Sequence, residues 1–224
     1  MIPIRDHNPS GRFPSINYLI IGINVLVFAF MFLMPENLME NFVLDYALVP
    51  SLVTQGQNLK TLLTSLFLHG GLGHIFGNML FLNIFGDNLE DRLGHIKYLL
   101  FYLFCGLGAS FLQIAINPGS QIPNLGASGA IAGIMGGYLV LFPKNRIDIL
   151  FSYGLFLRET SVPAYFMLFY WFLAQLFSGV GSLALPSDMG GVAFFAHVGG
   201  FLTGYLTINF FKNRLSKSGS VYYL

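Results

Sequence analysis

NLGASGAIAGIMGGYLVLF, residues 124–142, decides how this chain is built. From Gly126 to Phe142 it carries no charged residue, and Pro143 and a charged segment close it. A helix needs roughly 20 mainly apolar residues, with a range of about 17–25, to cross ~30 Å of hydrocarbon. The run therefore predicts a short membrane span, 126–142. Gly129, Gly133, Gly136 and Gly137 leave one side of it nearly bare, a surface that lets another helix approach closely in lipid. FFAHVGGFLTG, residues 194–204, offers a matching surface: His197, Gly200 and Gly204 follow at i, i+3 and i+7 and share one helix face. If the two faces pack together, Ser128 and His197 come within hydrogen-bond reach.

Working outward, further apolar runs predict spans at about 13–34, 71–86, 98–116, 162–178 and 192–211. The composition agrees. Hydrophobic residues make up 54% of the 224 residues and charged residues 9%, against about 25% in soluble domains. Mean hydropathy is +0.66. So little charge excludes a disordered chain, and a soluble domain of this size could not hide so much apolar surface. The net charge of +1 gives no electrostatic footprint for nucleic acid. Cys105 is the only cysteine, so no intrachain disulfide forms. The reading is an all-α membrane protein, one domain over residues 1–224 with six transmembrane helices.

The basic residues set the orientation. With the N-terminus in the cytoplasm, the cytoplasmic segments hold Arg5, Arg12, Arg92, Lys97, Lys144, Arg146, Arg158, Lys212, Arg214 and Lys217, and the other side only Lys60. Both termini are then cytoplasmic. The first run is too long for the apolar region of a cleavable signal and lacks a small-residue cleavage site before Pro35, so it is expected to stay as a span. Residues 35–70 form a long outer loop with apolar stretches suited to lying in the membrane interface. Residues 179–191 form a second outer loop, rich in Gly and Ser. Glu90 and Arg92 are expected on a solvated cytoplasmic turn.

Uncharged polar groups at membrane depth are costly unless they are paired or serve a site. His74 and Asn78, at i, i+4, project from one face near the outer end of the second span. Ser128 falls in the first turn of the fourth span and His197 early in the sixth. Spans two, four and six all begin on the outer side, so the three clusters share one depth and one surface. A serine hydroxyl becomes a useful nucleophile when a neighbouring base takes its proton, and histidine is the usual base. The Ser128 N–H, the Asn78 amide and the His74 ring are candidate donors to an oxyanion. No Asp or Glu lies in the spans, which points to a Ser–His dyad rather than a triad.

Each residue also has a plainer reading. A serine beside glycines is more often a packing residue, and a membrane histidine more often a structural hydrogen-bond partner. His69 is expected to pin the outer loop through its ring nitrogens. Other chemistries lack their residues: no H-E-x-x-H helix is present for zinc, and no paired carboxylates for an aspartyl mechanism. The polar residues stop near the outer end, which disfavours a transport path. Neither metal nor cofactor is implied.

Four segments in order carry a resemblance: TSLFLHGGLGHIFGNMLFL (64–82), G-x-x-x-E-D-R-L-G (86–94), GASG (126–129) and AHVGGFLTG (196–204). Together they resemble the rhomboid family of intramembrane serine proteases over about residues 16–211. The resemblance implies a six-helix bundle whose active site opens to the outer side. It implies Ser128 as nucleophile, His197 as base, and His74 and Asn78 at the oxyanion. Gly126, Gly129, Gly200, Gly204 and His69 are the supporting residues of the predicted site. The implied substrates are single-span membrane proteins cut in or near their membrane segment, with the lipid bilayer as the other partner. The fifth helix and the loop before the sixth would form the gate. A catalytically silent, client-binding relative is the alternative. Two departures stand out: Ala132 occupies a position where many relatives carry an aromatic that stacks on the histidine, and Lys60-Thr61 replaces a frequent Trp-Arg pair. A bacterial inner membrane is the expected location.

Overall fold

A computed structural model of the chain describes residues 2–153, 156–183 and 192–212. In chain order the elements are β1 (Ile2–Asp6), α1 (Ser15–Phe32), α2 (Glu36–Tyr46), α3 (Pro50–Thr54), α4 (Thr61–Thr64), α5 (Leu72–Leu93), α6 (His95–Ile116), α7 (Ser128–Leu141), β2 (Arg146–Tyr153), β3 (Phe156–Pro163), α8 (Ala164–Ser182) and α9 (Phe194–Phe211). The long helices fall on the apolar runs. Three of them, α1, α6 and α8, are long and apolar enough to cross a membrane by themselves.

The architecture is mostly helical, with α7 at its centre. Every residue of α7 from Gly129 to Tyr138 is buried, and α7 packs on α5, α6 and α9. A helix enclosed on all sides has no polar face, which accounts for its glycine-rich, wholly apolar sequence. Fourteen residues give it a length of about 21 Å. α1 and α8 are the opposite case, with side chains such as Leu26, Phe30, Phe169 and Phe177 pointing outward and exposed.

Three features differ from the sequence reading. First, α5 does not stop at residue 86 but runs on through Asp87 to Leu93. A search for charge-free runs ends at the first carboxylate, whereas a helix does not. Gly94, at φ +80°, ends α5 and turns the chain into α6.

Second, Glu90 is not on a solvated turn. It is 1% exposed and accepts the N–H groups of Ile16 (2.9 Å) and Asn17 (2.7 Å). The His95 ring lies against the same carboxylate, with Nδ1 2.5 Å away. α1 has no side-chain cap of its own. The Glu90 carboxylate thus takes up first-turn amides that lack intrahelical partners, where the helix dipole favours negative charge.

Third, the fold is not all-α. β1 pairs antiparallel with β2, and β2 with β3, in one three-stranded sheet. Arg5 donates to Asp148 through Nη2 (2.7 Å) and Nε (3.1 Å), and His7 Nε2 lies 2.7 Å from the other carboxylate oxygen. The Arg5 guanidinium holds the Asp148 carboxyl below its ordinary range, at about 2. Asn8 bonds Asn88, which in turn donates to Asp6 at 2.7 Å. The N-terminal segment, the end of α5 and the β2–β3 hairpin therefore gather at one end of the bundle.

The opposite end is built from the segment after α1 and the lead into α7. Residues 35–70 are not an open loop: α2, α3 and α4 occupy most of it, followed by a 3-10 turn at Ser65–Phe67. Leu48 and Asn124 exchange backbone hydrogen bonds, Ser51 N–H donates to Ser120, and Gly126 N–H donates to Ser65. The loop predicted at 179–191 is helical through Ser182, and residues 184–191 lie outside the described residues.

Candidate active site

The lead into α7 fixes the start of the site. Gly126 has φ +128°, a conformation that L side chains rarely adopt. An ideal Cβ there would also stand 2.7 Å from His74 Nε2. Glycine is needed twice over, for the turn and for the close approach of the backbone to α5. Ala127 precedes the helix and Ser128 is its first residue. The Ser128 amide belongs to the first turn, where N–H groups have no acceptor within the helix.

Backbone contact brings α9 alongside. An ideal Cβ on Gly200 would lie 2.8 Å from the Gly129 carbonyl carbon, and one on Gly204 2.6 Å from that of Gly133. A Cβ on Gly129 would stand 2.6 Å from the Ala109 Cβ of α6. The bare faces of α7 and α9 lie directly on each other. Gln113 Oε1 accepts the Ala196 N–H at 3.2 Å, tying the first turn of α9 to α6.

This packing puts His197 Nε2 2.7 Å from Ser128 Oγ, within hydrogen-bond reach. Both residues line a cavity of about 590 Å³ together with His74, Asn78, Trp171 and Gln175. Asn78 is 8% exposed and, among the described residues, its Nδ2, a donor, has no hydrogen-bond partner. An unpartnered buried donor carries a desolvation cost of about 1–3 kcal/mol, so it awaits an acceptor. On the other side of Ser128 a cavity of about 40 Å³ is lined by Ser65, Ser110 and Gln113. It has room for one water and polar groups to hold it.

His69 lies nearby. It is 1% exposed, its ring meets that of His74 edge-on at 5.1 Å, and it lies against the Phe67 backbone of the outer segment.

Two residues at the site were missed. Gln175 Oε1 lies 2.7 Å from His197 Nδ1, and the Trp171 ring lies 5.8 Å from the His197 ring at 36°. Gln175 had a signal: it is an uncharged polar residue inside an apolar span, the same criterion that singled out Asn78. Trp171 comes from α8, which no local motif around Ser128 reveals.

A mostly helical protein with apolar membrane-length helices and a serine–histidine pair at the wall of an open cavity is the class that fold and site define. A rhomboid domain model matches residues 56–214, and the chain belongs to the rhomboid family. It is an integral membrane protein. RHOMBOID-like protein 6, mitochondrial, of Arabidopsis thaliana is 31% identical over 153 residues, 68% of this chain and 44% of its own length. RHOMBOID-like protein 4 of the same plant is 34% identical over 154 residues, covering 69% and 34%. The Rhomboid protease GluP of Bacillus subtilis is 34% identical over 145 residues, covering 63% and 27%. The chain thus spans less than half the length of each of these relatives.

Proposed function

We propose that the chain is an intramembrane serine endopeptidase that cleaves single-span membrane proteins in or near their membrane segment. The observation that carries this reading is the 2.7 Å contact of Ser128 Oγ with His197 Nε2 in a cavity where Asn78 holds an unpartnered donor. Membership of a family that contains a named protease supports it.

In this reading His197 takes the Ser128 proton as Oγ attacks the scissile carbonyl. The developing oxyanion receives hydrogen bonds from the Ser128 N–H, Asn78 Nδ2 and His74. His197 then gives its proton to the leaving amine. A water from the small cavity behind Ser128 hydrolyses the acyl-enzyme with His197 again as base.

The arrangement in the membrane is part of the same proposal. The single domain has six spans, on α1, α5, α6, α7, α8 and α9, with the β-sheet on the cytoplasmic side and Ser128 toward the outer side. The cavity extends between α5 and α8, lined by Phe81 on one and Trp171 on the other, and a substrate helix would enter there. The relatives come from plants and a bacterium, so they support an integral membrane protein and do not single out the bacterial inner membrane.

The test is cleavage of model single-span substrates reconstituted with the protein in liposomes. Wild type is expected to cut at least one of a varied panel near its outer membrane boundary, and Ser128→Ala none. Equal cleavage by both, or none by either, would sink the reading and favour a silent client-binding protein.

A further inference from the structure

Trp171 and Gln175 are four residues apart on α8 and so share one face of that helix. Both reach the same side chain, His197. A neutral imidazole carries a single N–H, on one nitrogen or the other. To accept the Ser128 proton, Nε2 must be bare, so the ring proton has to sit on Nδ1. Gln175 Oε1 can only accept, and it lies 2.7 Å from that nitrogen. It therefore selects the working tautomer and stops the ring from rotating. In a Ser–His–Asp triad the carboxylate does this and also stabilises the imidazolium. An amide oxygen does the first and contributes little to the second. The Trp171 ring, 5.8 Å from His197, supplies an aromatic face that attracts the imidazolium as it forms.

The grip is itself anchored. Phe172, next to Trp171, stacks on Phe201 of α9 at 4.7 Å, and Trp171 meets the same Phe201 ring at 6.2 Å. α8 is thereby keyed to the helix that carries His197.

We propose that Gln175 and Trp171 are positioning residues for the catalytic histidine, making the site a Ser128–His197 pair oriented by Gln175 and braced by an indole from α8. The proposal rests on the reading of Ser128 and His197 as the reactive pair. Its first test does not need activity: ¹⁵N spectra of histidine-labelled full-length protein in micelles report which ring nitrogen of His197 is protonated. The Nδ1–H form is expected in wild type and a mixture in Gln175→Leu. A wild-type ring protonated on Nε2, or spectra unchanged by Gln175→Leu, overturns the proposal even if the protein proves to be a protease.

The second test is kinetic. Gln175→Leu is expected to lower kcat about 10- to 100-fold, the range set by losing one buried hydrogen bond, with KM nearly unchanged. Gln175→Glu, which restores an acceptor, should recover most of the rate. Trp171→Leu should lose about tenfold and Trp171→Phe little, because phenylalanine keeps an aromatic face against the imidazolium. Wild-type kcat in Gln175→Leu, or equal losses in the Leu and Glu variants, would contradict positioning. A wild type without any cleavage would instead refute the protease reading and leave the tautomer result to decide on Gln175.

Discussion

Replacing His197 by alanine is expected to lower the rate of cleavage roughly 10⁴-fold or more, the scale on which serine proteases lose activity without their base. In the proposed mechanism the loss should fall on kcat, because His197 would act on the proton of Ser128 and not on the bulk of the substrate. The more telling result concerns the pair. Ser128 and His197 lie 2.7 Å apart, so in the proposed mechanism they act as a unit and their losses should not add. The Ser128→Ala/His197→Ala double variant is expected to be no slower than the worse single variant. Single-turnover rates in micelles measure this. Additive losses, multiplying the two fold-changes, would mean that the residues act in separate steps.

Gly204→Ala is expected to destabilise the protein by about 3 kcal/mol, the upper range for forcing an extra carbon into a packed interface. An ideal Cβ at this position falls against the Gly133 carbonyl group, and backbone cannot yield as a flexible side chain does. The helices must part, and parting them pulls His197 away from Ser128. Gly22→Ala is the control. Gly22 lies in α1 with nothing within 4 Å of its Cβ position, and alanine there should be neutral or slightly stabilising. Thermal unfolding in detergent should therefore show a loss of about 6–12 °C for Gly204→Ala and none for Gly22→Ala. Equal melting temperatures would mean that α7 and α9 do not meet through these glycines.

The helical part of the fold was legible because a membrane span announces itself through one property, the absence of charge over a fixed length. The same criterion misplaced the end of α5, where Asp87 and Glu90 continue the helix and Glu90 is buried as the cap of α1. Burial of a carboxylate depends on which amides lie opposite, and those belong to a segment more than 70 residues earlier. The sheet was invisible for a similar reason. β1 is only five residues long and gains its partners from β2, whose paired residues begin at Ile147.

At the site, Ser128, His74, Asn78 and His197 were readable because each lies in a local pattern of glycines or helical spacing. Gln175 and Trp171 also stand four residues apart on one helix face, but no motif around Ser128 or His197 points to them. Their meaning comes from α8 lying beside α9, a tertiary fact.

The central claim is that Ser128 is a nucleophile activated by His197. The most direct measurement is covalent labelling with a fluorophosphonate, followed by peptide mass spectrometry of the adduct. The account predicts a single adduct on Ser128 in wild type, none in Ser128→Ala, and slow labelling in His197→Ala. An adduct on another residue, or wild-type labelling that persists in Ser128→Ala, would contradict it.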